Sequence, residues 1–309
     1  MFSYRHAFHA GNHADVLKHT VLIAMLGHLT QKEAALTVLD THAGAGLYRL
    51  DGDYTQTSGE AADGILRLAH LREPAAQLSE AAGKIVADGL APALQAYLEM
   101  VGSFNNQGTL RVYPGSPFII QRLLGGRDKL KLFELHPTDA KSLAANIAQL
   151  EAGRQVAVLG EDGFEGYKKF LPPPARRALV LCDPSYEIKS DYARAAAMVA
   201  DALTRFPTGT YAVWYPIIPR PEAHDLPRKL KTLATKAHKP WLHATLTVKS
   251  SKLTTDEQGD TQRPGLPASG MFIINPPYTL KAALQAALPQ MAVLLAQDRN
   301  AAFTLDSGA

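Results

Sequence analysis

Short apolar runs of strand length alternate with segments of helical spacing along most of this 309-residue chain. Leu36-Thr37-Val38-Leu39-Asp40, Lys131-Leu132-Phe133-Glu134-Leu135, Val156-Ala157-Val158-Leu159, Ala178-Leu179-Val180-Leu181-Cys182 and Tyr211-Ala212-Val213-Trp214-Tyr215 read as strands. Helices are predicted from Asn12, which can serve as the N-cap, and over Thr138 to Leu150 and Asp191 to Arg205. Parallel strands need a crossover long enough to hold a helix, so this order indicates an α/β fold with a mostly parallel sheet. His243 to Val248 and Met271 to Ile274 read as two more strands, a hairpin with a long polar loop. A helix over Leu280 to Ala296 leads to a last apolar piece, Ala302 to Leu305. Seven main strands are expected in all. Leu110 to Tyr113 is strand-like and leads into the turn Pro114-Gly115-Ser116-Pro117. The stretch 51–106 carries helical spacing and no strong strand signal, so it is expected to be a helical insertion within a domain of 1–50 and 107–309. Residues 1–12 look like an arm.

The ends of the strands carry the unusual residues, and ligands of doubly wound sheets sit at carboxyl ends. The first strand is followed by Thr41-His42-Ala43-Gly44-Ala45-Gly46, where glycine lets the backbone approach a ligand closely. This is not the dinucleotide fingerprint, because Arg49 stands where a third glycine is required. Glu134 ends the next strand, where a carboxylate can accept both hydroxyls of a ribose or simply cap a helix. Asp162-Gly163 follows the third, where an Asp can accept from an adenine amine or close a plain turn. Asp183-Pro184-Ser185-Tyr186 follows the fourth. Proline ends a ladder there, a carboxylate and a proline carbonyl can accept two amine hydrogens, and the aromatic ring can stack on a base. In this order the loops fit S-adenosylmethionine at the first three and a target base at the fourth. Asn275-Pro276-Pro277-Tyr278 is a closer match to an amine-holding tetrapeptide. Its strand is expected to run antiparallel, which would turn that end away from the cofactor.

Composition narrows the partners. The net charge of +3 permits a polyanion without requiring one. Eight Lys/Arg between Arg220 and Lys252 face only Glu222 and Asp225, which suits either a solvated helix face or a phosphate-contacting surface. The single cysteine, Cys182, lies in an apolar run, so no intrachain disulfide and no cysteine metal pair is expected. His6, His9, His13 and His19 lack a carboxylate-rich setting, and no metal is expected. No apolar window reaches membrane-spanning length and no signal-peptide core opens the chain, so a cytoplasmic protein is expected.

The chain resembles the large-subunit ribosomal RNA adenine-N6 methyltransferase J family (RlmJ) nearly end to end. The resemblance is carried by Tyr4-Arg5-His6-Ala7-Phe8-His9-Ala10-Gly11-Asn12, Asp15-Val16-Leu17-Lys18-His19 and Asp40 to Gly46. It continues through Tyr113 to Pro117, Phe133 to Pro137, Asp162-Gly163, Asp183 to Glu187 and Gly270 to Pro277. It implies a Rossmann-like class I methyltransferase with a seven-stranded, mostly parallel sheet and an inserted helical subdomain. It implies methyl transfer from S-adenosylmethionine to N6 of one adenine in 23S ribosomal RNA, by a monomer. His19, His42, Gly44, Ser116, Glu134, Asp162, Gly163 and Asp183 would line the cofactor pocket. Asp183, Pro184 and Tyr186 would be catalytic, and Tyr4, His6 and Lys18 would contact the RNA. Ser185 departs from the family, which often has a second proline there. Two other readings are a protein glutamine N5 methyltransferase using Asn275-Pro276-Pro277-Tyr278 and a non-catalytic RNA-binding protein.

Overall fold

The computed structural model describes residues 9–51, 59–69, 71, 79–105, 109–252, 254–255, 261–262 and 265–309. Tyr4 and His6 lie outside the described residues. Helix α1 (His13–Leu29) opens on Asn12, whose side chain accepts from the amides of Ala14 and Asp15. Strand β1 (Thr37–Asp40) follows, then the short pair β2 (Leu47–Arg49) and β3 (Val112–Pro114). Between those two, the helices α2 (Ile65–Ala69), α3 (Glu80–Asp88) and α4 (Pro92–Gly102) occupy the insertion. The chain continues through α5 (Ser116–Leu123), β4 (Lys129–Phe133), α6 (Pro137–Ala148), β5 (Val156–Leu159), α7 (Gly163–Gly166) and β6 (Ala178–Cys182). Then come α8 (Ser190–Arg205), β7 (Thr210–Ile217), α9 (Pro221–Lys236) and β8 (Trp241–Thr247). The small pair β9 (Thr254–Thr255) and β10 (Thr261–Gln262) precedes β11 (Ala268–Ile274), α10 (Leu280–Leu294) and β12 (Ala302–Gly308).

The main sheet runs in the order β12-β8-β11-β7-β6-β1-β4-β5. Strands β7, β6, β1, β4 and β5 are parallel, and β11 lies antiparallel between β7 and β8. The sheet therefore has eight strands rather than the seven expected. The extra one is β12, which pairs antiparallel with β8 at the edge. Its sequence holds back the signal because an edge strand has little to bury: most of its residues are exposed. The Leu110–Tyr113 run contributes to β3, which pairs antiparallel with β2 in a two-stranded sheet outside the main one.

Alternate residues of the parallel strands feed two cores. Val38, Leu179 and Leu181 join the helices α1, α4, α5 and α10 on one face. Leu39, Val180 and Cys182 join α8 and α9 on the other. The result is three layers, with the central strands buried on both sides, which is why they read as unbroken apolar runs. From β1 the chain winds outward to β4 and β5, then crosses back to β6 and β7. The reversal falls between β1 and β6, and their carboxyl ends splay apart into a crevice there. No helix among the described residues is long and apolar enough to cross a membrane.

Candidate active site

Two adjoining cavities open at that reversal. The first is lined by the loops after β1, β4, β5 and β6. The second runs from the start of α1 along Tyr186, Trp214 and Arg220 to the segment Gly265 to Pro267. Lys18, Asp183, Ser185 and Glu187 line both, so the Asp183 loop forms the wall they share.

Helix α1 brings an unusual load of charge into the core. Asp15 and Lys18 are only 2% and 4% exposed. The Lys18 ammonium bridges the Asp15 carboxylate at 2.8 Å and the Asp183 carboxylate. Burial disfavours the ammonium, but the two carboxylates outweigh it and hold the Lys18 pKa above its ordinary value. A charge that deep needs such partners, and the i to i+3 spacing of Asp15 and Lys18 supplies one from the same helix face.

After β1, Asp40 is fully buried and accepts from the Ser116 hydroxyl at 2.6 Å. Burial pushes its carboxyl up to about 6, against the pull of Ser116. The His42 imidazole is pushed down to about 4 by burial and lies edge-on to Phe164, 4.7 Å between centroids. Gly44 has φ of +60°, and a Cβ there would lie 2.2 Å from the Tyr48 hydroxyl, so the turn requires glycine. Its amide donates to Glu134 Oε2 at 2.8 Å, while Oε1 accepts from the His136 amide at 2.7 Å. Glu134 is thus clamped facing the Gly44 loop, and burial raises its pKa.

Asp162 caps α7, accepting from the Phe164 amide at 3.0 Å, and forms an ion pair with Arg194. Arg194 also lies over the Phe164 ring at 4.3 Å. Gly163 sits so close to the β1 loop that a Cβ would come 1.9 Å from the Thr41 carbonyl oxygen.

The Asp183-Pro184-Ser185-Tyr186 loop ends with Tyr186 at φ of +55°, a left-handed conformation that costs a tyrosine about 1–3 kcal/mol. Surrounding bonds hold it there. The Tyr186 hydroxyl donates to the Trp214 carbonyl at 2.7 Å, and the Arg220 guanidinium donates to the Tyr186 carbonyl at 3.3 Å. The ring packs between Tyr192 and Trp214. Tyr186 is 2% exposed, so only an edge of it meets the second cavity.

His19, His42, Gly44, Ser116, Glu134, Asp162, Gly163 and Asp183 all line the first cavity, together with Pro184. The structure also brings in Arg194 and Trp214, which the sequence did not single out, and Arg220, which it read only as the start of a basic segment. They sit on α8, within β7 and at the N-cap of α9, and their reach into the cavities depends on packing that no local pattern records. Asn275 lies elsewhere, as its antiparallel strand requires. Its amide donates to the carbonyls of Pro207 and Gly209 at the opposite end of the sheet, and Tyr278 is 86% exposed. Among the described residues no group of three His, Cys, Asp or Glu is placed to hold a metal ion.

An α/β sheet of this order, with a glycine-bearing first loop, acids after β4 and β5 and an Asp-Pro loop after β6, defines a class I S-adenosylmethionine-dependent methyltransferase. The model of the family described as Ribosomal RNA large subunit methyltransferase D, RlmJ, matches residues 33–306. The chain belongs to that family. It is 39% identical to Ribosomal RNA large subunit methyltransferase J of Escherichia coli over 94% of its own length and 92% of the relative. It is 37% identical to the protein of the same name from Haemophilus influenzae, over 99% and 98% of the two chains. Its fold is similar to the crystal structure of a Legionella pneumophila protein, LPL1258, with a TM-score of 0.79, 30% identity and coverage of 97% of this chain and 99% of that one.

Proposed function

We propose that this protein methylates N6 of an adenine in 23S ribosomal RNA, with S-adenosylmethionine in the first cavity and the target base in the second. One observation carries the reading: Asp183 stands on the wall shared by the two cavities, where donor and acceptor would meet. The donor set of the first cavity fits the cofactor. Glu134 offers carboxylate oxygens to ribose hydroxyls, Asp162 offers one to an adenine amine, and the closely packed backbone at Gly44 and Gly163 leaves room for the ligand. When bound, the cofactor supplies a methyl group already activated by a sulfonium.

The protein's own work is then positioning. Asp183 and the Pro184 carbonyl accept the two hydrogens of the adenine amine. That draws the nitrogen lone pair out of the ring and toward the methyl group. Lys18 fixes the Asp183 carboxylate from the α1 side. Arg220 and the Trp214 carbonyl hold the loop from the other side. Asp183, the carboxylate bonded to that amine, would accept the proton released after transfer. The base must leave its stack to enter the second cavity, as for other base-modifying enzymes, and the edge of Tyr186 offers it an aromatic wall. Tyr4, His6 and Lys18 would touch the RNA around it. Residues 51–106 would form a helical subdomain, and the enzyme would act as a monomer in the cytoplasm.

The test is labelled methyl transfer from S-adenosylmethionine to 23S ribosomal RNA or to protein, with Asp183→Ala and Asn275→Ala. Asp183→Ala should abolish labelling of RNA while the fold persists, and Asn275→Ala should leave substantial activity. The reverse outcome, or labelling of protein glutamine, would refute the assignment.

A further inference from the structure

A carboxylate of the insertion reaches the second cavity. Glu60 lies in the turn just before α2 and lines that cavity beside His9 and Asn12. The turn is packed hard against the start of α1. The Ile65 amide donates to the Gly11 carbonyl at 2.8 Å, and a Cβ on Gly64 would come 2.1 Å from the same oxygen. Glu60 is therefore fixed relative to α1, which carries Lys18 and through it holds Asp183.

The two oxygens of Glu60 are used unequally. Oε2 accepts from the Asn12 side-chain amide at 2.9 Å and from His9 Nδ1 at 2.9 Å. Oε1 is bonded to nothing among the described residues. The side chain is 28% exposed, so a ligand in the cavity can reach it. Burial opposes its charge, but the bonds from His9 and Asn12 outweigh burial and hold the Glu60 pKa below its ordinary value. Glu60 is thus an anion with one open oxygen, and an ionised carboxylate can only accept. An adenosine inside an RNA strand has two groups that donate, its amine and its 2′-hydroxyl. Its ring nitrogens and phosphate oxygens accept, and its 3′ and 5′ oxygens are esterified. The amine belongs to Asp183 and the Pro184 carbonyl in the reading above. The 2′-hydroxyl is left as the one group of the target nucleotide that Glu60 can bind. The phosphates, which a carboxylate repels, have the Arg220 guanidinium in the same lining.

We propose that Glu60 accepts a hydrogen bond from the 2′-hydroxyl of the target adenosine and so selects ribose over deoxyribose. The proposal rests on the second cavity being the target site. The 2′-hydroxyl is the group by which a protein tells RNA from DNA at a given position. The Asp183 loop meets only the base, which the two nucleic acids share. The insertion thus adds a contact to the sugar, through a single side chain.

The test changes the sugar of one nucleotide. The adenine methylated by the wild type is first mapped on 23S ribosomal RNA. Synthetic RNAs spanning it then carry ribose, 2′-deoxyribose or 2′-fluororibose at that position alone. The fluoro sugar keeps the pucker of RNA and cannot donate. In kcat/KM for methyl transfer the wild type should favour ribose about tenfold over either analogue, the loss of one hydrogen bond to a charged group. Glu60→Ala should lose that preference and treat the three substrates alike. Glu60→Gln keeps the shape and a neutral acceptor, so it should retain a preference of roughly twofold to threefold. It also carries the test if the alanine variant does not fold. A wild type that methylates all three RNAs equally overturns the proposal. So does a variant that is slower on every substrate but keeps the tenfold preference, which is what a purely structural Glu60 would give. A wild type that methylates no adenine of the ribosomal RNA overturns the reading of the second cavity instead, and the sugar contact with it.

Discussion

Asp40→Asn removes one buried charge from the floor of the cleft while keeping the shape of the side chain. Asp40 is fully buried, and its carboxyl titrates near 6 in the folded protein against an ordinary 3.8. The native state therefore binds this proton more tightly than the unfolded chain does. Stability from this group is highest at low pH and falls as pH rises from 3.8 through about 6, then stays flat. The sign is opposite to that of a salt-bridged carboxylate. A difference of about two pH units corresponds to about 3 kcal/mol of penalty borne by the native state at neutral pH. An asparagine does not titrate, so the variant lacks this slope. It also weakens the bond from the Ser116 hydroxyl; the part of that bond that depends on ionisation is already contained in the shifted titration, and the rest offsets the whole profile equally. The assay is denaturant unfolding of both proteins at a series of values between about pH 4 and about pH 8. Relative to wild type, the variant should gain about 3 kcal/mol across that range, mostly between pH 4 and 6. Parallel pH profiles would mean that Asp40 is not held as a costly buried carboxylate, and the argument for its role beneath Ser116 would fail.

Gly163→Ala places a methyl 1.9 Å from the Thr41 carbonyl, so the β5 and β1 loops must part; the variant should lose about 1–3 kcal/mol in unfolding experiments. Gly160→Ala, with nothing within 4 Å, should lose far less and serves as the control. Glu134→Gln should weaken S-adenosylhomocysteine binding by roughly tenfold or more in calorimetry, since one charge-assisted hydrogen bond is worth about 1.5–3 kcal/mol; equal affinity would remove Glu134 from the ribose site. The basic residues should divide by position. Replacing Lys249 and Lys252, which flank the cavity residue Ser251, with Ala should flatten the salt dependence of RNA binding. Replacing Lys229 and Lys231 should not, because both are exposed on α9 and Lys231 lies over Trp241, at the Asn275 end of the sheet.

The sequence by itself determined the layered α/β fold and the order of the loops. Strands buried on both faces must be apolar throughout, so β1, β6 and β7 announce themselves, and a proline or glycine at a strand end marks where the ladder stops. The same logic located Glu134, Asp162-Gly163 and Asp183-Pro184 at carboxyl ends, and it excluded Asn275 once its strand was read as antiparallel. An exposed edge strand such as β12 has no such signature, because little of it needs to be apolar. Only the tertiary structure decided which charges meet. Lys18 pairs with Asp183 although 165 positions separate them, and Arg220 reaches the Tyr186 carbonyl across 34. The basic segment from Arg220 to Lys252 reads as one block, yet α9 and β8 carry its residues to opposite ends of the sheet. The physical reason is the range of the interactions. Strand periodicity and turn chemistry act between near neighbours in the chain, whereas burial of an ion pair depends on what the crossovers bring to the same crevice.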